Sequence, residues 1–277
     1  MQKIIVLVDP RGIDTSTLDF TTYLVRTGTS KLYGVFLHPD SQEPVPEMVI
    51  NNEKSSGSDQ QSPSGRRPVN TDVDQSKKEW LAYYKNQGFG VHPETADVYT
   101  REQIIEETRF ADAVIVNGEI SFSGGAESVP TKLIEFILKK SECPVIVAPM
   151  TFDPIEEVVF AYDGSPSSVF AAKEFTRVFP QFEDKRITFL EINMDESSEI
   201  TNQQKITDYL KLHYSSIGYR VLHGKPEDEL FGHFLSRKNT FLVLGAFGRS
   251  PLSVLLHKSS ANLLLKTSTL PLFITHR

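Results

Sequence analysis

Phe241-Leu-Val-Leu-Gly-Ala-Phe-Gly248 is the stretch on which the fold turns. Four consecutive apolar residues stopped by glycine fit a short strand covered on both faces, as in a parallel sheet. Gly245 and Gly248 at its carboxyl end let the chain turn sharply and leave backbone N–H groups uncovered. Uncovered N–H groups suit an anion when a helix starts nearby. A helical pattern does start nearby, at Ser259-Ser260, eleven residues past Gly248.

The same strand occurs earlier, as Val114-Ile-Val-Asn-Gly118, and Gly118 and Gly245 stand 127 residues apart. Cys143-Pro-Val-Ile-Val-Ala-Pro149 and Leu270-Pro-Leu-Phe-Ile-Thr-His276 are separated by the same 127 residues. Ile4-Ile-Val-Leu-Val-Asp9 and Val158-Val-Phe-Ala-Tyr-Asp163, each a strand ending in Asp, are 154 apart. The 277 residues therefore read as one unit written twice, over 1–150 and 155–277, with about 27 extra residues between Asp9 and Gly118. The excess falls in the polar stretch 41–77, centred on Ser55-Ser-Gly-Ser-Asp-Gln-Gln-Ser-Pro-Ser-Gly65. Such composition buries too little apolar surface to offset its ordering entropy, so a surface loop is expected there.

In the second copy the pattern predicts strands over 158–162, 187–193, 219–222, 241–244 and 272–275, with helices over 167–179, 203–213, 227–237 and 259–266. Ser165 and Pro166 suit the N-cap and first turn of the first helix. Alternating strands and helices give an α/β fold: two repeated doubly wound domains, each a five-stranded parallel sheet flanked by helices. Ligands of such sheets sit outside the strand carboxyl ends at the switch point. Asp163 and Gly245 both reach that end. In the first copy a helix over 75–86 presents Trp80, Tyr83 and Tyr84 as its packed face.

A net charge of −7 with a pI near 5.6 argues against broad nucleic-acid binding, which usually shows a basic face. Cys143 is the single cysteine, so no internal disulfide exists and a reducing cytoplasm is the expected setting. It precedes an apolar strand and reads as a packed small residue rather than a reactive thiol. The seven histidines lack ligand-like spacing, and no metal is expected. No apolar run approaches the roughly 18 residues of a membrane span. There is no Walker-type loop and no Gly-x-Ser-x-Gly elbow, so no catalytic constellation is assigned. A pyrophosphate-loop signature of adenylate-using enzymes is also missing after either first strand.

With these residues in register, the chain resembles a tandem universal stress protein along essentially its whole length. The family's nucleotide-binding members carry Gly, two residues, Gly, nine residues, then Gly-Ser or Gly-Thr. Here that reads Gly245-Ala-Phe-Gly248, Arg249 to His257, then Lys258-Ser259. Gly248-Arg249-Ser250, Asp163-Gly164-Ser165 and Cys143-Pro144 are further family habits. The resemblance implies a stress-response regulator with a pocket for ATP or a related adenine nucleotide, with Mg²⁺, and slow hydrolysis at most. By carry-over, Asp163 stands at the adenosine end, with the backbone around Ile192 beside the base. Gly245, Gly248 and Arg249 belong to the ribose and phosphate loop, and Ser259 and Ser260 offer hydroxyls and N–H groups to phosphate. Lys258 replaces the motif glycine. Its ammonium binds phosphate as a point charge, or its stem fills the pocket, or its backbone refuses a conformation open only to glycine.

The first copy departs further. Its equivalents are Gly118, Ser121, Thr131 and Lys132, with Asp9 followed by Pro10-Arg11. No nucleotide is expected there. The family's single-domain members often dimerise through the last strand; here the two halves are expected to pair through 145–148 and 272–275, and a further homodimer stays open. A competing reading keeps the fold and drops the ligand: a nucleotide-independent interaction module for a protein partner, both pockets degenerate. Asp163 would then cap a helix, Gly245 and Gly248 would be turn glycines, and Ser259 an ordinary N-cap.

Overall fold

A computed structural model of the chain describes residues 2–26, 30–37, 69–89, 96–122, 127–151, 153–194, 199–235, 237–246 and 270–276. The first half runs β1 (Gln2–Val8), α1 (Thr15–Arg26), β2 (Ser30–Leu37), α2 (Val69–Asn86), β3 (Ala96–Tyr99), α3 (Arg101–Thr108), β4 (Ala113–Asn117), α4 (Lys132–Lys140) and β5 (Val145–Ala148). The second runs β6 (Glu157–Ala161), α5 (Pro166–Val178), a 3-10 turn (Pro180–Phe182), β7 (Arg186–Asn193), α6 (Gln203–Leu210), β8 (Ser216–His223), α7 (Pro226–Phe234), β9 (Thr240–Ala246) and β10 (Leu272–His276).

All ten strands form one sheet in the order β3-β2-β1-β4-β5-β10-β9-β6-β7-β8. Within each half every pairing is parallel, and the halves meet antiparallel through β5 and β10, with Leu272 opposite Val147, Phe273 opposite Ile146 and Ile274 opposite Val145. This is the repeated α/β architecture that the sequence implies, and the junction is the one that the family resemblance implies. Each half would otherwise leave an apolar strand at its edge, and pairing two such edges satisfies both ladders.

Strand residues alternate between two cores because both faces are covered. Ile4, Val6 and Val8 of β1 join the core under α1, α2, α5 and α6, whereas Ile5 and Leu7 join the one under α3, α4 and α7. α5 lies against β9 and β10. Its Phe175 ring meets those of Phe160, Phe179, Phe182, Phe241 and Phe273 at centroid separations of 5.6, 5.3, 5.8, 5.2 and 5.2 Å. Beyond the sheet, α5 ties the halves together: Arg177 pairs with Asp112 at 2.6 Å, and the Gln2 side chain donates to the Arg177 carbonyl at 2.8 Å.

Several boundaries differ from the sequence reading. α2 starts at Val69, inside the stretch read as loop 41–77. The reason is a buried stripe at helical spacing, Val73, Ser76, Trp80 and Tyr84, whose Ser76 hydroxyl donates to the Pro10 carbonyl at 2.6 Å. β8 runs from Ser216 rather than Tyr219. α7 ends at Phe234 rather than at 237, because Asn239 takes the left-handed conformation (φ 56°) that turns the chain into β9. α6 ends at Leu210 rather than at 213. The helix expected over 259–266 lies outside the described residues. Cys143 is buried beside Ser141, and burial pushes its thiol up to about 12, as a packed residue requires.

In the last turn of α7, burial and the cations Arg237 and Arg220 lower His233 from 6.5 to about 4. Between those values the unfolded chain binds a proton that the fold refuses, so this group makes stability fall as pH drops from 6.5 towards 4. His233→Gln is expected to flatten the acid side of a urea-midpoint versus pH curve within that window. An unchanged slope would show that His233 titrates alike in both states.

Candidate functional site

In the second half, the carboxyl ends of β6 and β9 lie side by side, with Ala161 opposite Leu244. These strands flank the reversal of strand order, the place where α/β sheets hold ligands. Asp163 follows β6, and its Oδ1 accepts the Ser165 N–H at 3.0 Å. Ser165 is the N-cap of α5, its hydroxyl oxygen accepting from Ser168 N–H at 3.2 Å, with Pro166 in the first turn. Asp163 thus shapes the entry to α5 without being its cap, and its Oδ2 has no hydrogen bond to any described residue.

Gly245 is the residue of β9 that meets this turn. A Cβ there would lie 2.7 Å from Ser168 N and closer still to the Ser167 carbonyl group. Glycine is required because two backbones touch. Gly164 has φ 71°, and a Cβ on it would collide with the Thr201 side chain. Thr201 is held in turn by buried Glu191, whose carboxylate accepts the Thr201 N–H at 2.8 Å and its hydroxyl at 2.7 Å. Tyr162 is buried beside this pair; burial first, then the negative charges of Glu191 and Asp163, raise its phenol to about 12. Ile192 stands one strand over in β7, its side chain packed toward the α7 core. Asp163, Ser165 and Gly245 are therefore brought together, with Ile192 alongside. Gly248, Arg249, Lys258, Ser259 and Ser260 lie outside the described residues.

The first half builds the same corner and fills it with its own side chains. Asp9 follows β1, and Arg11 takes both of its oxygens: Nε donates to Oδ1 at 2.8 Å and Nη2 to Oδ2 at 2.7 Å, and the Arg11 N–H adds a bond to Oδ1 at 2.9 Å. The same guanidinium spans to the loop after β4, donating to the carbonyls of Ser121 and Phe122. At the N-terminus of α4, Glu127 accepts the Lys132 N–H at 3.1 Å and the Ser121 hydroxyl at 2.5 Å. First-turn N–H groups are natural anion receptors, and here a carboxylate of the chain itself takes one of them. The cavity left between Asp9, Asp14, Asn117 and Ile120 is about 170 Å³. That is below the roughly 300 Å³ at which small-molecule pockets begin.

Glu127, Glu191 and Thr201 were not singled out by sequence reasoning, and Arg11 was noted only as a departure from the family's Gly-Ser. Of those three, Glu191 left a trace, an acid inside the apolar run 187–193. Among the described residues no cluster of His, Cys, Asp or Glu is arranged to hold a metal, and no helix is long and apolar enough to cross a membrane.

No protein-family model matches the sequence, and no curated protein matches it. Solved structures do match its shape. A universal stress protein from Archaeoglobus fulgidus DSM 4304 aligns over 99% of this chain and 96% of its own, with TM-score 0.57 and 11% identity. A protein of Pseudomonas aeruginosa UCBPP-PA14, assigned to the same family, aligns over 100% and 93%, with TM-score 0.54 and 13% identity. A functionally unknown protein of P. aeruginosa PAO1 aligns over 100% and 92%, with TM-score 0.55 and 14% identity. At these identities the likeness is one of fold, and it spans both halves: the chain has the universal stress protein fold, carried twice.

Proposed function

We propose that the chain is a stress-response regulator that binds one adenine nucleotide of the ATP type, with Mg²⁺, in its second half. The observation that carries the reading is the contrast between the two strand-end aspartates. Arg11 occupies both oxygens of Asp9, whereas Asp163 keeps Oδ2 available beside the switch point. In this reading Asp163 accepts a ribose hydroxyl, and the backbone after Gly245 faces the phosphates. Binding biases conformation, and turnover is slow or absent. Cytoplasmic residence belongs to the same proposal.

Calorimetric titration of nucleotide-stripped protein with ATP and Mg²⁺ tests it. The expected result is one nucleotide per chain, lost in Asp163→Ala and kept in Asp9→Ala. Equal losses in the two variants, or two nucleotides per chain, would overturn the assignment to the second half. Lys258→Gly separates the two roles of that lysine: weaker and less salt-sensitive binding means contact with phosphate, and stronger binding means that its stem obstructs the pocket.

One observation favours the ligand-free module instead. The spaces beside Gly164 and Gly245 are taken by Thr201 and by the backbone of α5, so neither glycine needs a ligand to explain it. Absence of heat at two temperatures would favour this second reading.

A further inference from the structure

At the amino ends of β6, β7, β8 and β9, opposite the end that carries Asp163, the sheet holds a groove of about 370 Å³ on its α7 side. Glu157, Arg186, Thr188, Arg220, Arg237 and Lys238 line it, with Glu156 at its margin. Four cations against two carboxylates leave a net +2 on a chain whose overall charge is −7. Charge of one sign concentrated against the sign of the whole protein marks a place for a counter-charged partner.

The floor is built rather than incidental. Glu157 is buried, and its carboxylate accepts from Arg237 at 2.8 Å, from Arg186 at 3.3 Å and from the Thr188 hydroxyl at 2.6 Å. One buried acid thereby fixes two guanidiniums and is itself neutralised. Arg220 and Lys238 are exposed, and neither side chain has an ion pair or hydrogen bond to a described residue. Gly218 between the strands presents no side chain to the groove.

The groove belongs to one repeat only. At the 127-residue offset Arg237 and Lys238 correspond to Phe110 and Ala111, and at the 154-residue offset Glu157 corresponds to Lys3. The fold therefore does not require these three residues, and the first half carries others at those positions.

We infer that this groove is a second ligand site, selective for a small anion bearing phosphoryl groups, with Arg220 and Lys238 as its open cations and Arg186 and Arg237 held ready by Glu157. Guanidinium forks match phosphoryl oxygens in pairs, and a lysine adds a point charge. The volume accommodates two phosphoryl groups or one with a small organic body.

Pyrophosphate is the probe, added to the full chain at neutral pH. The imidazole resonances of His233 are the local readout, since that ring senses the charges of Arg237, Arg220 and Glu157. His233→Gln identifies them among the seven histidines. Saturable movement of the His233 signals is expected. Asp163→Ala should preserve it, and the double change Arg220→Glu, Lys238→Glu should weaken it about a hundredfold, because two charge-assisted contacts are reversed. Both altered residues are exposed, and an unchanged urea midpoint of the double variant confirms its fold. Unmoved His233 signals at saturating pyrophosphate, equal affinity in the double variant, or loss in Asp163→Ala would each overturn the inference.

Discussion

Phe175→Ala should cost about 3–5 kcal/mol, the usual range for emptying a buried aromatic site. Phe175 is fully buried in α5 and meets five other phenylalanine rings drawn from β6, β9, β10 and the segment that ends α5. Few of those neighbours can move into the gap, because Phe241 and Phe273 are held by central strands paired on both sides. Edge-to-face contacts add to the burial; the Phe160 and Phe241 rings stand at 89° and 87° to Phe175. Urea unfolding checks the figure, with the midpoint falling and the slope unchanged. A loss below about 1 kcal/mol would mean that the core repacks around alanine, contrary to the rigidity expected of a close-packed interior.

Gly245→Ala is expected to destabilise by about 3 kcal/mol, the upper end of the range for overpacking. The added methyl would meet the backbone of Ser167 and Ser168, and backbone cannot rotate aside as a side chain can. Relief requires α5 to lift off β9, which would disturb the Phe175 cluster as well. Gly232→Ala is the control, since a Cβ there has nothing within 4 Å and the residue lies inside α7. That change should stabilise by about 0.5–1 kcal/mol, as alanine is the better helix former. Opposite signs for the two glycines would confirm that Gly245 serves close approach; a neutral Gly245→Ala would refute it.

How legible the molecule was depended on the reach of each interaction. Strands such as Phe241–Leu244 and Val114–Val116 announce themselves because a doubly covered strand is apolar throughout. Their spacing, repeated at 127 residues, carried the doubling of the unit, whereas the β5–β10 junction was expected only from the family resemblance. The start of α2 was hidden because the added residues, 69–74, are mostly polar, with Val73 as the buried apolar contact among them. At the candidate site the limit is reach. Asp163 and Gly245 were visible as strand-end residues, but the reason for Gly245 is Ser167, brought against it only by the fold. Arg11 reaches carbonyls 110 and 111 positions along the chain, and no local pattern signals such a partner.

The joining of β5 to β10 within one polypeptide has a consequence for what each half is free to become. Two identical subunits meeting at such a seam must carry every substitution twice, once on each side of the two-fold axis. A single chain is released from that obligation, and its seam forms at the local concentration set by the tether rather than by the abundance of the protein. One half can then give up its crevice to Arg11 and Glu127 and become a permanent companion, while its sibling keeps an open aspartate and gains a cationic groove of its own. Duplication followed by fusion thus turns a symmetric pair into a division of labour.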